Sequence, residues 1–255
     1  MAFGASLVAI FFLKTKERPI LQFDKQVALL LLSETWALAL SAIFVGIYTR
    51  FDQLLLISLA GPREAGLYAA IVPFTLSLGF IPMAIAANTM PSLAKAKENG
   101  EEVYLLHFQR LMGVMAAISL VIAALYVVGA DFFVTSLLGT EYVDAIPAMR
   151  LYSIACIPMF LGVAQSQWIV LEGRQHLALI KSFVGAFSSI ALNFLLVKEY
   201  GALGGSMSAL AAQFISSVAL SAAFSSTLFK MQVLGILGRG VLWGRRNNGV
   251  VSEKL

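Results

Sequence analysis

The sequence predicts an all-α, polytopic integral membrane protein: a bundle of six full transmembrane helices preceded by part of another. The chain of 255 residues is 59% hydrophobic and only 13% charged, whereas a soluble domain averages about 25% charged residues. Several separate apolar stretches reach the roughly twenty residues that a helix needs to cross a bilayer. The connections between them are short, so successive helices are predicted to be antiparallel neighbours.

The elements follow in order along the chain. Residues 1–13 are apolar but too short to span, which indicates a partial transmembrane helix, and residues 14–33 form a cytoplasmic link. The six-helix bundle occupies residues 34–229, with a turn at Gly201 before its last helix. A basic cytoplasmic tail follows at 230–255. The predicted spans are about 34–60, 66–90, 105–129, 146–171, 176–197 and 203–229.

The distribution of basic residues sets the predicted orientation. Lysine and arginine concentrate in the cytoplasmic loops of helical membrane proteins. With the 14–33 link placed inside, most of the 18 lysines and arginines fall on the inner side. Arg63, Arg150 and Lys198 fall outside. The link and the C-terminus are therefore predicted to be cytoplasmic, and the net charge of +4 reflects topology rather than a nucleic-acid partner.

Two charged residues interrupt the first full span near its middle. Arg50 and Asp52 each cost about 2.5–3.5 kcal/mol at a helix centre on insertion scales, so they need a specific environment. Tyr48 and Asp52 share a helix face, whereas Arg50 lies about 200° round the helix from Asp52. The two charges therefore cannot pair well with each other. We expect Tyr48, Arg50 and Asp52 to line a translocation cavity; the alternative is a purely structural role for Arg50.

Polar side chains inside later spans are candidates for the same cavity. Each is able to meet an intramembrane charge across a helix interface. Ordinary interhelical hydrogen bonds are the alternative explanation for all of them. These residues are Gln165, Gln167, Asn193 and Gln213.

Basic residues also gather at the predicted cytoplasmic helix ends. Topology by itself explains them. The functional alternative is a basic entrance that holds the phosphate or diphosphate of an anionic lipid. These residues are Lys95, Lys97, Arg110, Arg174 and Lys181.

The sequence lacks a pattern typical of an enzyme. His107 and His176 have no Cys or Glu at ligand spacing, so neither a metal site nor another cofactor is predicted. There is no glycine-rich Walker loop for nucleotide hydrolysis. Cys156 has no second cysteine to pair with and is predicted to be a small core residue.

Four segments together resemble a known family. IYTRFDQLLLISLAGPREAGLYAAIVPF (47–74) is similar to the opening of the second half of Wzx-type polysaccharide flippases, members of the multidrug/oligosaccharidyl-lipid/polysaccharide exporter superfamily. MPSLAKAKENG (90–100) resembles the end of their eighth helix. LLGTEYVDAIPAMRLYSIA (137–155) and LEGRQHLALIKS (171–182) resemble later segments in the same order and at similar spacing.

The resemblance implies a carrier of the bacterial inner membrane that acts in polysaccharide biosynthesis, including that of lipopolysaccharide O-antigen. Such a carrier moves an undecaprenyl-diphosphate-linked oligosaccharide from the cytoplasmic to the periplasmic leaflet by alternating access. The spans correspond to helices seven to twelve of this fold, which is related to that of multidrug exporters. Arg50 is then expected to line a cationic cavity, with Asp52 as its neighbour or as an ion-coupling group.

The chain corresponds to about half of such a transporter, because the first bundle has no counterpart in it. We expect a truncated or split product, or a bundle that pairs with a missing N-terminal half or with a second copy. Membrane lipids and the lipid-linked oligosaccharide are the other expected partners. Two further hypotheses stay open: half of a cation-coupled drug exporter, and a membrane subunit that does not transport.

Overall fold

The computed structural model describes residues 24–237, without the side chains of residues 27–34 and 47–50. The predicted partial helix at 1–13 and most of the 230–255 tail lie outside this range. The chain divides into two units, Met1–Trp36 and Ala37–Leu255. In the first unit the described residues form the beginning of the helix Lys25–Ala60. The second unit contains the rest of that helix and all later elements.

Every regular element in the described part of the chain is helical. A π-helical turn (Val134–Leu138) and a 3₁₀ helix (Thr140–Ala145) lie between the helix that ends at Phe133 and the one that begins at Ile146, and a second π-helical turn (Ile215–Ala219) follows the helix that ends at Phe214. The helices are α1 (Lys25–Ala60), α2 (Pro62–Leu78), α3 (Phe80–Glu98), α4 (Glu101–Phe133), α5 (Ile146–Ile154), α6 (Cys156–Leu171), α7 (Gln175–Phe214), α8 (Leu220–Phe224) and α9 (Ser226–Ile236).

Five helical segments of the described chain are long and apolar enough to cross a membrane. This confirms the all-helical class and indicates a membrane protein, but it does not confirm the predicted count of six full spans. The segments are Thr35–Ala60, Pro62–Glu98, Glu101–Leu138, Thr140–Leu171 and Gln175–Phe224.

The last of these segments folds back on itself at Gly201. Gly201 has φ +54° and ψ −129°, a conformation outside the helical region. On either side of it the two limbs pack closely: a Cβ added at Gly204 would lie 2.3 Å from the Leu196 carbonyl oxygen, and one at Gly185 would lie 3.2 Å from Ser216. Residue 204 is close to residue 196, and residue 185 is close to residue 216. The two limbs, residues 175–200 and 202–224, must therefore run antiparallel.

A carboxylate from α2 holds this reversal in place. The N–H of Ala202, the first residue after the turn, donates to Glu64 Oε2 at 2.8 Å. A helix begins with N–H groups that have no partner within the helix, and Glu64 satisfies one of them. A Cβ at Gly201 would lie 2.2 Å from the same oxygen, so only glycine fits at this position.

Two apolar clusters form the core. One lies towards the Gly100 turn and includes Tyr104, Phe108, Met112 and Phe160. The other lies towards the turns at Gly61, Gly139 and Gly201 and includes Leu56, Tyr68, Ile71 and Met149. Asp52, the acid of the candidate site described below, lies about one helical turn before Leu56 of the second cluster.

The helix boundaries at both ends differ from the predicted domain limits. α1 begins at Lys25, inside the predicted 14–33 link. At the other end, α9 crosses the predicted limit between bundle and tail at 229/230. The apolar side chains of Leu228 and Met231 are buried in the core. The first residues of the predicted tail therefore pack as part of the bundle.

A buried glutamine secures α9. Gln232 Nε2 donates to the Ser217 carbonyl oxygen at 2.9 Å, and the Ser221 hydroxyl donates to Gln232 Oε1 at 2.5 Å. Ser217 belongs to the π-helical turn Ile215–Ala219. Because a π-helical turn interrupts the regular α-helical ladder, its carbonyl is available to a side chain of another helix.

Replacing Gly201 with alanine tests the reversal. We expect Gly201→Ala to lower the free energy of unfolding by roughly 1–3 kcal/mol from backbone strain, with an additional loss from the clash with Glu64. The control is Gly66→Ala, a helical position where an added Cβ meets nothing within 4 Å, so the change should be neutral or stabilising by up to about 1 kcal/mol. Unfolding by SDS titration in mixed micelles measures both. Equal stability of the two variants would contradict the assigned turn.

Candidate functional site

The carboxylate of Asp52 lies inside the bundle, bonded to two side chains of α7. Its Oδ1 accepts from the Ser189 hydroxyl at 2.8 Å and from Asn193 Nδ2 at 2.9 Å. Ser189 and Asn193 are one helical turn apart and therefore face α1 together. Asn193 Nδ2 also donates to the Ser189 carbonyl oxygen at 2.9 Å. All three side chains are buried, with Asp52 only 6% exposed.

This arrangement is unusual for a buried acid. Both donors to Asp52 are neutral, and none of the ion pairs formed among the described residues includes it. An isolated buried carboxylate is expensive unless a cation, a proton or good hydrogen bonds compensate it. In addition, Asn193 Oδ1 is buried and has no hydrogen-bond partner in the described part of the chain. A buried carboxylate without a cationic partner among the described residues is suited to holding a proton or a cation.

A cavity of about 60 Å³ lies beside the cluster. A buried water needs roughly 10–15 Å³ of such space, so the cavity has room for a few waters or a small ion and is far too small for a sugar. The Tyr68 and Tyr152 rings meet edge to face at its wall, with their centroids 5.7 Å apart. Its polar lining comes from Asp52, Tyr68, Thr75, Tyr152, Ser189, Gln213 and Ser216.

Comparison with known proteins assigns the family. The model of the polysaccharide biosynthesis protein family matches residues 2–147, which is more than half of the chain. The chain belongs to this family. No curated protein and no solved structure matches it.

Membership of the polysaccharide biosynthesis family indicates a role in making polysaccharide and agrees with the broader part of the resemblance. The match does not distinguish Wzx-type flippases from other members. It covers α1 and α2, which carry Asp52 and Tyr68, and ends at Pro147. Ser189 and Asn193, the donors to Asp52, lie beyond the matched region.

The predicted cavity residues divide into separate groups. Asp52 and Gln213 line the cavity, and Asn193 bonds to Asp52 without lining it. Gln165 and Gln167 do not line it. Gln165 is completely buried and neither its oxygen nor its nitrogen has a partner among the described residues. Gln167 Oε1 accepts instead from the Thr89 hydroxyl at 3.4 Å. The side chains of Tyr48 and Arg50 lie outside the described part of the structure.

Sequence reasoning missed Ser189, Tyr68, Thr75 and Tyr152. Ser189 had a usable signal, because it precedes Asn193 by one turn and shares its face. The tyrosines and Thr75 had none, since serine, threonine and tyrosine occur throughout these spans. Only the packing of α2 and α5 against α7 selects them.

Two of the five residues predicted to form a basic entrance are already bonded within the protein. Lys97 Nζ donates to the Leu171 carbonyl oxygen at 2.7 Å and to Glu172 Oε1 at 2.9 Å. Lys181 Nζ donates to the Gly162 carbonyl oxygen at 2.7 Å. These two lysines join α6 to its neighbours.

The other three residues of the predicted entrance are exposed but occupy different places. Lys95 lies in the last turn of α3. The Arg174 guanidinium stacks over the Trp168 ring at 5.5 Å. Arg110 lines a separate groove between α3 and α4. The entrance therefore remains a prediction, with Lys95 and Arg174 as its available charges.

A double-mutant cycle tests the Asp52 cluster. We expect Ser189→Ala to destabilise the protein by roughly 1–3 kcal/mol, because the buried carboxylate loses a donor. In an Asp52→Asn background the same change should cost less, since the charged acceptor is gone. Ser58→Ala is the control, because among the described residues the Ser58 hydroxyl bonds only to Leu55 of its own helix and its loss should be worth less than about 0.5 kcal/mol. Strict additivity of Ser189→Ala and Asp52→Asn would contradict the contact.

Proposed function

We propose that this protein is one bundle of a flippase that moves undecaprenyl-diphosphate-linked oligosaccharide from the cytoplasmic to the periplasmic leaflet of the bacterial inner membrane. The observation that carries the proposal is the buried Asp52–Ser189–Asn193 cluster beside a small polar cavity, in a chain of the polysaccharide biosynthesis family. Ionisable residues inside a membrane bundle typically mark substrate or ion pathways. A static scaffold has no need of an acid at this depth.

The size of the cavity separates two roles within this mechanism. The oligosaccharide and its diphosphate cannot enter about 60 Å³, so we propose that they pass along the face of this bundle and against a second one. The second bundle comes from an upstream half, a partner or another copy. By the resemblance, Arg50 faces this route, and Lys95 and Arg174 attract the diphosphate at the cytoplasmic side.

Asp52 acts in this scheme as the coupling group. A proton or a small cation on the carboxylate would reduce the cost of burying it and change how strongly it holds Ser189 and Asn193. Because these residues connect α1 to α7, occupancy of the site would alter the packing of the two helices. Alternating access requires two such packings of nearly equal energy.

Complementation tests the flippase proposal. In a strain that lacks its own O-antigen flippase, the chain together with a six-helix upstream half should restore surface polysaccharide, and the chain expressed alone provides the comparison. Failure of both arrangements, with the protein correctly inserted in the membrane, would rule out the proposal. Restoration by the chain alone would favour pairing of two copies.

Asp52→Asn tests the coupling role. We expect it to reduce polysaccharide export at least tenfold while stability changes little, because the amide oxygen still accepts from Ser189 and Asn193. The control is Asp144→Asn, which removes a carboxylate that is 62% exposed and pairs with Arg63 outside the cluster. It should leave export unchanged. Unchanged export in Asp52→Asn would remove the coupling role.

A cation-coupled drug exporter is the second candidate, favoured by the same buried acid and ion-sized cavity. It predicts dye or drug efflux that depends on a cation gradient and disappears in Asp52→Asn, with no restoration of polysaccharide. A membrane subunit that does not transport predicts a third pattern. In that case Arg50→Ala and Asp52→Ala would change stability and have no transport phenotype.

A further inference from the structure

A groove of about 180 Å³ opens between α3 and α4, on residues that the Asp52 cavity does not use. Along α4 the lining residues fall on one face, spaced three to four residues apart. Its apolar lining comes from Ile85, Leu93, Leu111 and Val114, and the Thr89 hydroxyl beside them donates to the Ile85 carbonyl oxygen at 2.9 Å. The other polar lining residues, Ser92, His107 and Arg110, lie towards the Gly100 turn.

The groove lies at the level where headgroups meet acyl chains. Residues 111–130 contain no charged side chain, and about twenty residues cross the hydrocarbon core. Arg110 comes directly before this stretch. On α3 the uncharged stretch 65–94 ends at Lys95. The polar end of the groove is therefore at headgroup depth and its apolar wall at acyl-chain depth.

The charge of Arg110 is available to a ligand. Its side chain is exposed, and none of the ion pairs within residues 24–237 involves it. Lys97 and Lys181, by contrast, are already bonded to protein oxygens. A planar guanidinium is well matched to the oxygens of a phosphate. Arg110 thus supplies the cationic contact that an anionic headgroup needs.

Ser92 and His107, which lie near Arg110 in the groove, offer hydrogen-bond acceptors rather than donors. The Ser92 hydroxyl donates to the Thr89 carbonyl oxygen at 2.7 Å, so the lone pairs of the Ser92 oxygen remain able to accept a hydrogen bond. His107 Nδ1 lies 2.8 Å from the Val103 carbonyl oxygen and must carry the hydrogen there. In the neutral ring Nε2 is then an acceptor. A headgroup with hydroxyl donors beside its phosphate complements all three residues.

We propose that this groove binds one anionic phospholipid of the bilayer, of the phosphatidylglycerol class. Its phosphodiester lies on Arg110, its glycerol hydroxyls donate to Ser92 and His107, and an acyl chain lies along the apolar wall. A phosphatidylethanolamine headgroup fits less well, because its ammonium group would lie next to the guanidinium. The site does not rest on the proposed flippase activity, since it uses none of the residues around Asp52.

Lipid binding to the purified full-length chain tests the assignment. Native mass spectrometry from detergent would count lipids retained with phosphatidylglycerol, phosphatidylethanolamine or phosphatidylcholine. We expect one phosphatidylglycerol to be retained preferentially. Arg110→Gln should weaken its binding roughly fivefold, as expected for one cation at an anionic headgroup, and Arg110→Lys should lose less. Val114→Trp should also weaken binding by filling the apolar wall without changing any charge.

Lys230→Gln is the control, because it removes an exposed positive charge close to the level of Arg110 but does not line the groove: its neighbour Met231 accepts from Gln109 through its carbonyl oxygen. It should leave binding unchanged. Equal losses in Lys230→Gln and Arg110→Gln would show diffuse electrostatic attraction and overturn the site. Full competition by inorganic phosphate would identify a free-phosphate site instead. Preferential retention of an isoprenyl diphosphate in an Arg110-dependent manner would assign the groove to the lipid-linked substrate, and each of these results refutes the proposal.

Discussion

The contact on which the site depends is the pair of hydrogen bonds from Ser189 and Asn193 to Asp52. Neither lipid nor the apolar core can solvate a carboxylate, so these donors set the position of α1 against α7. The donors are neutral, and they leave the charge of Asp52 uncompensated within the described residues. The contact is consequently sensitive to a proton or an ion in a way that an ion pair is not. The atoms that join α1 to α7 are therefore also the atoms that we propose to bind a proton or an ion.

The same constraint explains the polar contacts elsewhere in the bundle. Lys181 donates to the Gly162 carbonyl oxygen, and Gln232 donates to the carbonyl oxygen that the π-helical turn leaves available at Ser217. Such close contacts need small residues, since a Cβ at Gly162 would lie 2.5 Å from Ser217 Oγ. Gln165 is an exception, because neither its amide oxygen nor its amide nitrogen has a partner among the described residues. Interior polar groups without partners are costly, which makes this part of α6 a place where an alternative packing would be favourable.

Two candidate sites lie in different parts of the bundle. The Asp52 cavity lies inside it and has room for a few waters or a small ion. The Arg110 groove opens between α3 and α4 and combines apolar walls with an exposed arginine. The two sites share no lining residue, so each can be tested by substitutions that leave the other intact.

The sequence by itself determined the class of protein and the position of the buried acid, because these follow from the length of apolar stretches and from the rarity of charge within them. It also located the reversal at Gly201, since glycine marks a turn. Tertiary structure decided the partners. Three outcomes depend on how α1 packs against α7 and on how α3 and α7 pack against α6: which hydroxyl meets Asp52, where Gln167 finds its partner, and why Lys97 and Lys181 are bonded internally. A polar residue in an apolar helix must find a partner, but its own sequence neighbourhood does not say which helix will supply it.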